Sequence, residues 1–128
     1  MRHLKRKGRK FGRIKKKRKA LMRALVSHLI LQEKIKTTEA KAKEVIKLTD
    51  RLINLAKADK QCELAKFGLA KNVLAKLQEE IKNWYPKRQT GYTTLVALYY
   101  RKGDCSKVVQ VSLLPKTVTK ETEKVKKK

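Results

Sequence analysis

The chain has 128 residues, room for one modest domain and no more. Its 36 Lys and Arg face 11 Asp and Glu, a net charge of +25. A surplus that large repels itself and calls for a polyanion, and nucleic acid is the commonest one for a small basic domain. The two cysteines, Cys62 and Cys105, lie far apart, with no Cys-x-x-Cys pair and no histidine cluster. A zinc site needs about four ligands, so none is expected, and both read as free thiols in a reducing cytosol. No apolar run nears the roughly 18 residues of a membrane span, and no signal-peptide pattern is present. The chain reads as soluble, cytoplasmic and not secreted.

Residues 1–19 hold twelve Lys and Arg and no acid, and the first carboxylate is Glu33. Beyond Met1, this arm offers only Leu4, Phe11 and Ile14 as apolar side chains. Residues 1–16 are therefore expected to be extended and disordered until a partner is met. Met22, Leu25, Val26 and Leu29 share one helical face and predict a helix over 17–32. Arg18, Lys19 and Arg23 crowd its first half, where the helix dipole disfavours cations and an external anion would offset the cost. Residues 33–38 are short and rich in β-branched side chains, which predicts a strand. Thr38 is placed to cap the next helix, with Glu39 in its first turn. Val45, Leu48, Leu52 and Leu55 carry that helix to about Lys57. Phe67, Ala70, Leu74, Leu77, Ile81 and Trp84 alternate three and four residues apart. They predict a third helix, bent near Gly68 and stopped by Pro86. Residues 92–100 and 108–114 read as two strands of a hairpin around Arg101-Lys102-Gly103-Asp104. Residues 115–128 read as a disordered, Lys-rich tail. The sum is an α+β fold: three main helices packed on a small mixed β-sheet, within one domain over 17–114.

The arm carries the clearest chemistry. Arg2, Lys5, Arg6, Lys7, Arg9, Lys10, Arg13 and Lys16 run into Arg18 and Lys19 as a cationic ribbon. Each phosphate such a ribbon contacts releases counterions, so binding is strong at low salt and falls as salt rises. Arg forks onto phosphate or stacks on a base, while Gly8 and Gly12 let the backbone pass close to RNA. This pattern is specific for a polyanion but not for RNA over DNA. Tyr92, Tyr99 and Tyr100 lie on a predicted strand, where aromatics can stack on bases; core packing is the better reading for Trp84 and for one face of the strand. Neither His3 nor His28 has a carboxylate neighbour in sequence. Glu79 and Glu80 point in different directions on a helix, and no phosphate-binding loop motif occurs. Nothing here supports an enzyme, a bound metal or a cofactor. A DNA-binding or nucleoid-associated protein is the competing reading of the charge, but the helices show no base-reading cluster of Asn, Gln and Arg.

Specific strings narrow this. Met1-Arg2-His3, Lys7-Gly8-Arg9, Gly12-Arg13 and Arg18-Lys19-Ala20-Leu21-Met22-Arg23 stand in order. They are followed by a run from Glu33 through Lys41 and Lys43 to Glu44, then Arg88, Gly91-Tyr92-Thr93 and Arg101-Lys102-Gly103-Asp104. In this order they resemble the bacterial ribosomal large-subunit protein seventeen family. The resemblance implies an α+β ribosomal fold and a structural place in the large subunit. It further implies contact with 23S rRNA near the peptide exit side, beside neighbouring ribosomal proteins. Carried over by position, it marks Arg2, His3, Lys7, Gly8, Arg9, Gly12, Arg13, Arg18, Lys19, Arg23, Lys41, Lys43, Arg88, Tyr92 and Arg101 as RNA-facing. Lys102, next to Arg101, joins them. Thr94 stands where the family usually has Arg, and the stretch between Lys57 and Trp84 is shorter than is usual there.

Overall fold

The first helix, α1, spans Lys15–Gln32 and starts two residues before the predicted boundary. Met22, Val26, Leu29 and Ile30 are its buried side chains, one apolar stripe at helical spacing. It ends where Glu33 turns left-handed (φ 64°) and donates its N–H to the Leu29 carbonyl at 2.8 Å. That conformation is costly for a residue with a Cβ. Lys76 braces the end by donating to the Leu31 carbonyl at 2.9 Å and pairing with Glu33 at 3.0 Å. These observations come from a computed structural model that describes residues 8–115. The expectations for residues 1–7 and for most of the Lys-rich tail lie outside the described residues.

Strand β1 (Lys34–Thr38) leads directly into α2 (Glu39–Lys57), as the pattern predicts. Thr38 does occupy the cap position, but its side chain makes no capping hydrogen bond. Glu39, the acid in the first turn, supplies the favourable charge there instead. Ala42, Val45, Leu52, Ile53 and Ala56 are buried along α2. Thr49 is buried among them and stays satisfied by donating to the Val45 carbonyl at 2.9 Å.

The third helix is not continuous. It divides into α3 (Gln61–Ala65), α4 (Lys71–Lys76), a π-helical turn (Leu77–Ile81) and a last helical turn, α5 (Lys82–Trp84). The break falls at Gly68, which is left-handed (φ 63°) and has the Arg23 guanidinium packed over it. A Cβ there would sit 3.1 Å from Arg23 Nη2 on a left-handed backbone, so glycine meets both demands without strain or a shift of Arg23. The π turn has its own logic. Val73, Leu77 and Ile81 are buried at four-residue steps. In an α-helix such steps drift by about 40° each turn, and a wider turn cancels that drift. Ala70, in the predicted stripe, is exposed and lies in the break.

Strands β2 (Thr93–Tyr100) and β3 (Lys107–Leu113) form the predicted hairpin, with a bulge between Ala97 and Tyr99. The sheet order is β1-β3-β2 and both pairings are antiparallel, which corrects the expected mixed sheet. β1 and β2 run the same way, but β3 lies between them, so no parallel pair forms. Val109, Val111 and Leu113 of β3 face the helices and are buried. Ile35 and Leu95 flank Val111 in register. The helices cover this one face, the α+β arrangement predicted.

Candidate nucleic-acid interface

Residues 8–14 are not a free ribbon. The Arg13 N–H donates to the Lys10 carbonyl at 3.1 Å, closing a turn over Phe11 and Gly12. Both central residues have positive φ, 56° and 60°. The turn folds Phe11 inward, half-buried against the core. An arm without core residues was expected, and at Phe11 the structure corrects that. Arg9, Lys10 and Arg13 remain exposed around it.

The arm leads into an α1 N-terminus with no acid in its first turn and no side-chain cap at Ile14. Lys15, Lys16, Lys17, Arg18 and Lys19 crowd this positive dipole end. Among the described residues, none of the cations from Arg9 to Lys19 forms a salt bridge. The salt bridges lie elsewhere. On α2, Lys43 pairs with Glu39 at 2.7 Å and Lys47 with Glu44 at 3.4 Å. The Lys43 hydrogen bond and charge, aided by Lys107 and Arg9, hold the Glu39 carboxyl below its usual range. Cations without a salt bridge are thus densest along residues 9–19, where a polyanion gains most.

Arm, α1, α2 and the α3–α4 break enclose a groove of about 500 Å³. It gathers five of the predicted residues: Gly8, Arg9, Arg18, Lys19 and Arg23. It also gathers Arg51 and Lys66, which sequence reasoning missed. The signal for Arg51 was present, since Glu44, Leu48 and Arg51 recur at i, i+4 and i+7 on one helical face. Arg23 is engaged structurally as well: its Nε donates to the Phe67 carbonyl at 2.7 Å and fixes the break.

The other predicted residues are dispersed. Lys41 is half-buried on α2 and Lys43 is exposed. Arg88 is exposed and donates to the Gly91 carbonyl at 2.9 Å. Arg101 grips Asp104 through Nε (3.0 Å) and Nη2, bracing the hairpin turn, with Lys102 exposed beside it. The bond to Arg101 drives the Asp104 carboxyl well below its ordinary range. Arg2, His3, Lys5, Arg6 and Lys7 lie outside the described residues.

Tyr92 departs from expectation. It is fully buried, with its ring 5.2 Å from that of Tyr85 and its hydroxyl against Asn54 and the Arg88 carbonyl. Asp50 accepts its backbone N–H at 3.2 Å. Burial, and secondarily Asp50, raise its pKa. A ring so enclosed has no face for a base; it holds the strand to α2. Thr94, where the family's Arg would stand, is exposed on β2 opposite Ser112.

A family model described as Ribosomal protein L17 matches residues 21–114, which cover α1 beyond its first turns, α2, the broken helix and the whole sheet. The chain belongs to the ribosomal protein L17 family. Among its relatives is the large ribosomal subunit protein bL17 of Aster yellows witches'-broom phytoplasma, 39% identical over 114 residues, 82% of this chain and 97% of that one. The protein of the same name from Rubrobacter xylanophilus is 40% identical over 117 residues, 89% of this chain and 96% of its own. That of Desulfosudis oleivorans is 40% identical over 131 residues, covering all of this chain and 62% of its own. A member of this family is a structural ribosomal protein and not an enzyme. No cluster of His, Cys, Asp and Glu among the described residues could hold a metal ion. No described helix is long and apolar enough to cross a membrane.

Proposed function

We propose that this ribosomal constituent binds 23S rRNA in the large subunit and acts by neutralising phosphates and fixing a local RNA fold, beside neighbouring ribosomal proteins. One observation carries the reading: the cations of residues 9–19 form no salt bridge among the described residues, and they converge on a helix N-terminus that lacks acid and cap. Phosphates answer both needs, since they pair with Lys and Arg and accept from the free N–H groups of the first turn. Lys5, Arg6 and Lys7 extend the same ribbon in sequence. Lys41, Lys43, Arg88, Arg101 and Lys102 offer peripheral contacts, weakened at Lys43 and Arg101 by their own carboxylate partners.

The test is filter binding to 23S rRNA fragments over a salt series, with duplex DNA as competitor. Affinity should fall linearly on a log–log plot, with a slope of about 0.7–0.9 per phosphate contacted. Displacement by rRNA and not by DNA is expected. A preference for DNA would favour the nucleoid reading and overturn this one.

A further inference from the structure

The groove beneath the arm has two chemistries that phosphate binding alone does not explain. Its rim is cationic on balance, with Arg18, Arg51 and Lys66 standing beside the carboxylates of Glu44 and Glu63. Its floor is apolar, and Phe11, Leu48 and Phe67 each leave part of their surface open to it. A phosphate has no use for an apolar floor, and a purely apolar ligand has no use for the rim. A nucleotide whose base is splayed out of its helix needs both. Arg51 is already held with its guanidinium 5.6 Å from the Phe67 ring centroid, over an aromatic face. The volume suits a group of that size, about 500 Å³ in a range where small-ligand sites begin near 300 Å³.

We propose that this groove is a receptor for one unpaired RNA nucleotide, its base on Phe11 and Phe67 and its phosphate on Arg18 and Arg51. The inference rests on the rRNA-binding reading and specifies it. Residues 1–7 are a poor alternative occupant, because they carry Arg2, Lys5, Arg6 and Lys7 and no carboxylate, against a rim where the cations outnumber Glu44 and Glu63.

The experiment uses the full chain and three RNA hairpins of one sequence: fully paired, with a single bulged 2-aminopurine, and with an abasic bulge at that position. The 2-aminopurine hairpin should bind on the order of tenfold tighter than the abasic one, and its fluorescence should be quenched. Phe11→Ala should bring that ratio toward one. Phe11 precedes α1, and circular dichroism checks that the helices survive. Phe67→Leu, which keeps the floor apolar but removes the ring, should also lower the ratio. Equal affinity for the 2-aminopurine and abasic bulges, without quenching, would overturn the proposal. In that case salt-sensitive binding of the paired hairpin would leave the rRNA reading standing. Failure to bind any of the three would overturn both.

Discussion

Tyr92→Phe separates a core tyrosine from an RNA-facing one. The substitution removes only the hydroxyl, which lies between Asn54 Oδ1 and the Arg88 carbonyl. One proton serves one acceptor at a time, so one hydrogen bond is lost. Both acceptors keep other partners. The Arg88 carbonyl still receives the Lys57 ammonium, and Asn54 is exposed to water. The cost therefore falls near the low end for a buried hydrogen bond, about 1 kcal/mol. For a domain of this size that lowers Tm by about 4–8 °C. Tyr92→Ala also removes the ring packed on Tyr85 and under Lys57, and should cost about 3–5 kcal/mol. Thermal melts followed by circular dichroism measure both. Binding to 23S rRNA fragments, measured well below each Tm, should be unchanged by Tyr92→Phe. An unshifted Tm together with weakened rRNA binding would refute the argument and return Tyr92 to the RNA surface.

Deleting residues 2–14 should leave the helical signal in place, since α1 begins at Lys15, while the salt slope of rRNA binding falls by about 0.7–0.9 per lost phosphate contact. Loss of helical signal would show that Phe11 anchors more than the arm. Gly68→Ala places a Cβ on a left-handed residue, against Arg23, and should cost about 1–2 kcal/mol. Urea titration checks this as a lower midpoint at an unchanged slope. Burial, and then the charge of Glu33, push the Tyr85 hydroxyl from 10 up to about 12. The folded state thus favours the neutral form, and the stability gained is full below pH 10 and lost as pH rises through about 12. Between pH 9 and 12 the wild type should lose about 2–3 kcal/mol more than Tyr85→Phe. Parallel losses in the two proteins would contradict the assignment.

Much of this protein was legible in the sequence, because much of it is local. Burial of Met22, Val26 and Leu29 and of Val45 and Leu52 follows from helical spacing, which depends on near neighbours only. The hairpin followed from two β-rich runs around a turn sequence. The cationic arm needed only residue order. Part of the site was readable for the same reason: Lys19 and Arg23 lie four residues apart on α1, on one helical face that lines the groove.

The tertiary structure decided what depends on distant partners. β3 lies between β1 and β2 because its backbone pairs on one edge with its hairpin neighbour and on the other with a strand far earlier in the chain, and no local pattern encodes that choice. The third helix reads as continuous in its periodicity. It breaks where Gly68 meets Arg23, 45 positions earlier, and widens into a π turn at Leu77–Ile81. Alternation along a strand does not say which face is inside, and Asp50, Asn54 and Tyr85 draw Tyr92 in. Phe11, in an arm rich in Lys and Arg, turns inward onto a core assembled by other elements. Charge order along the chain sets which segment seeks a polyanion. Packing between remote segments sets which of its residues remain free to meet one.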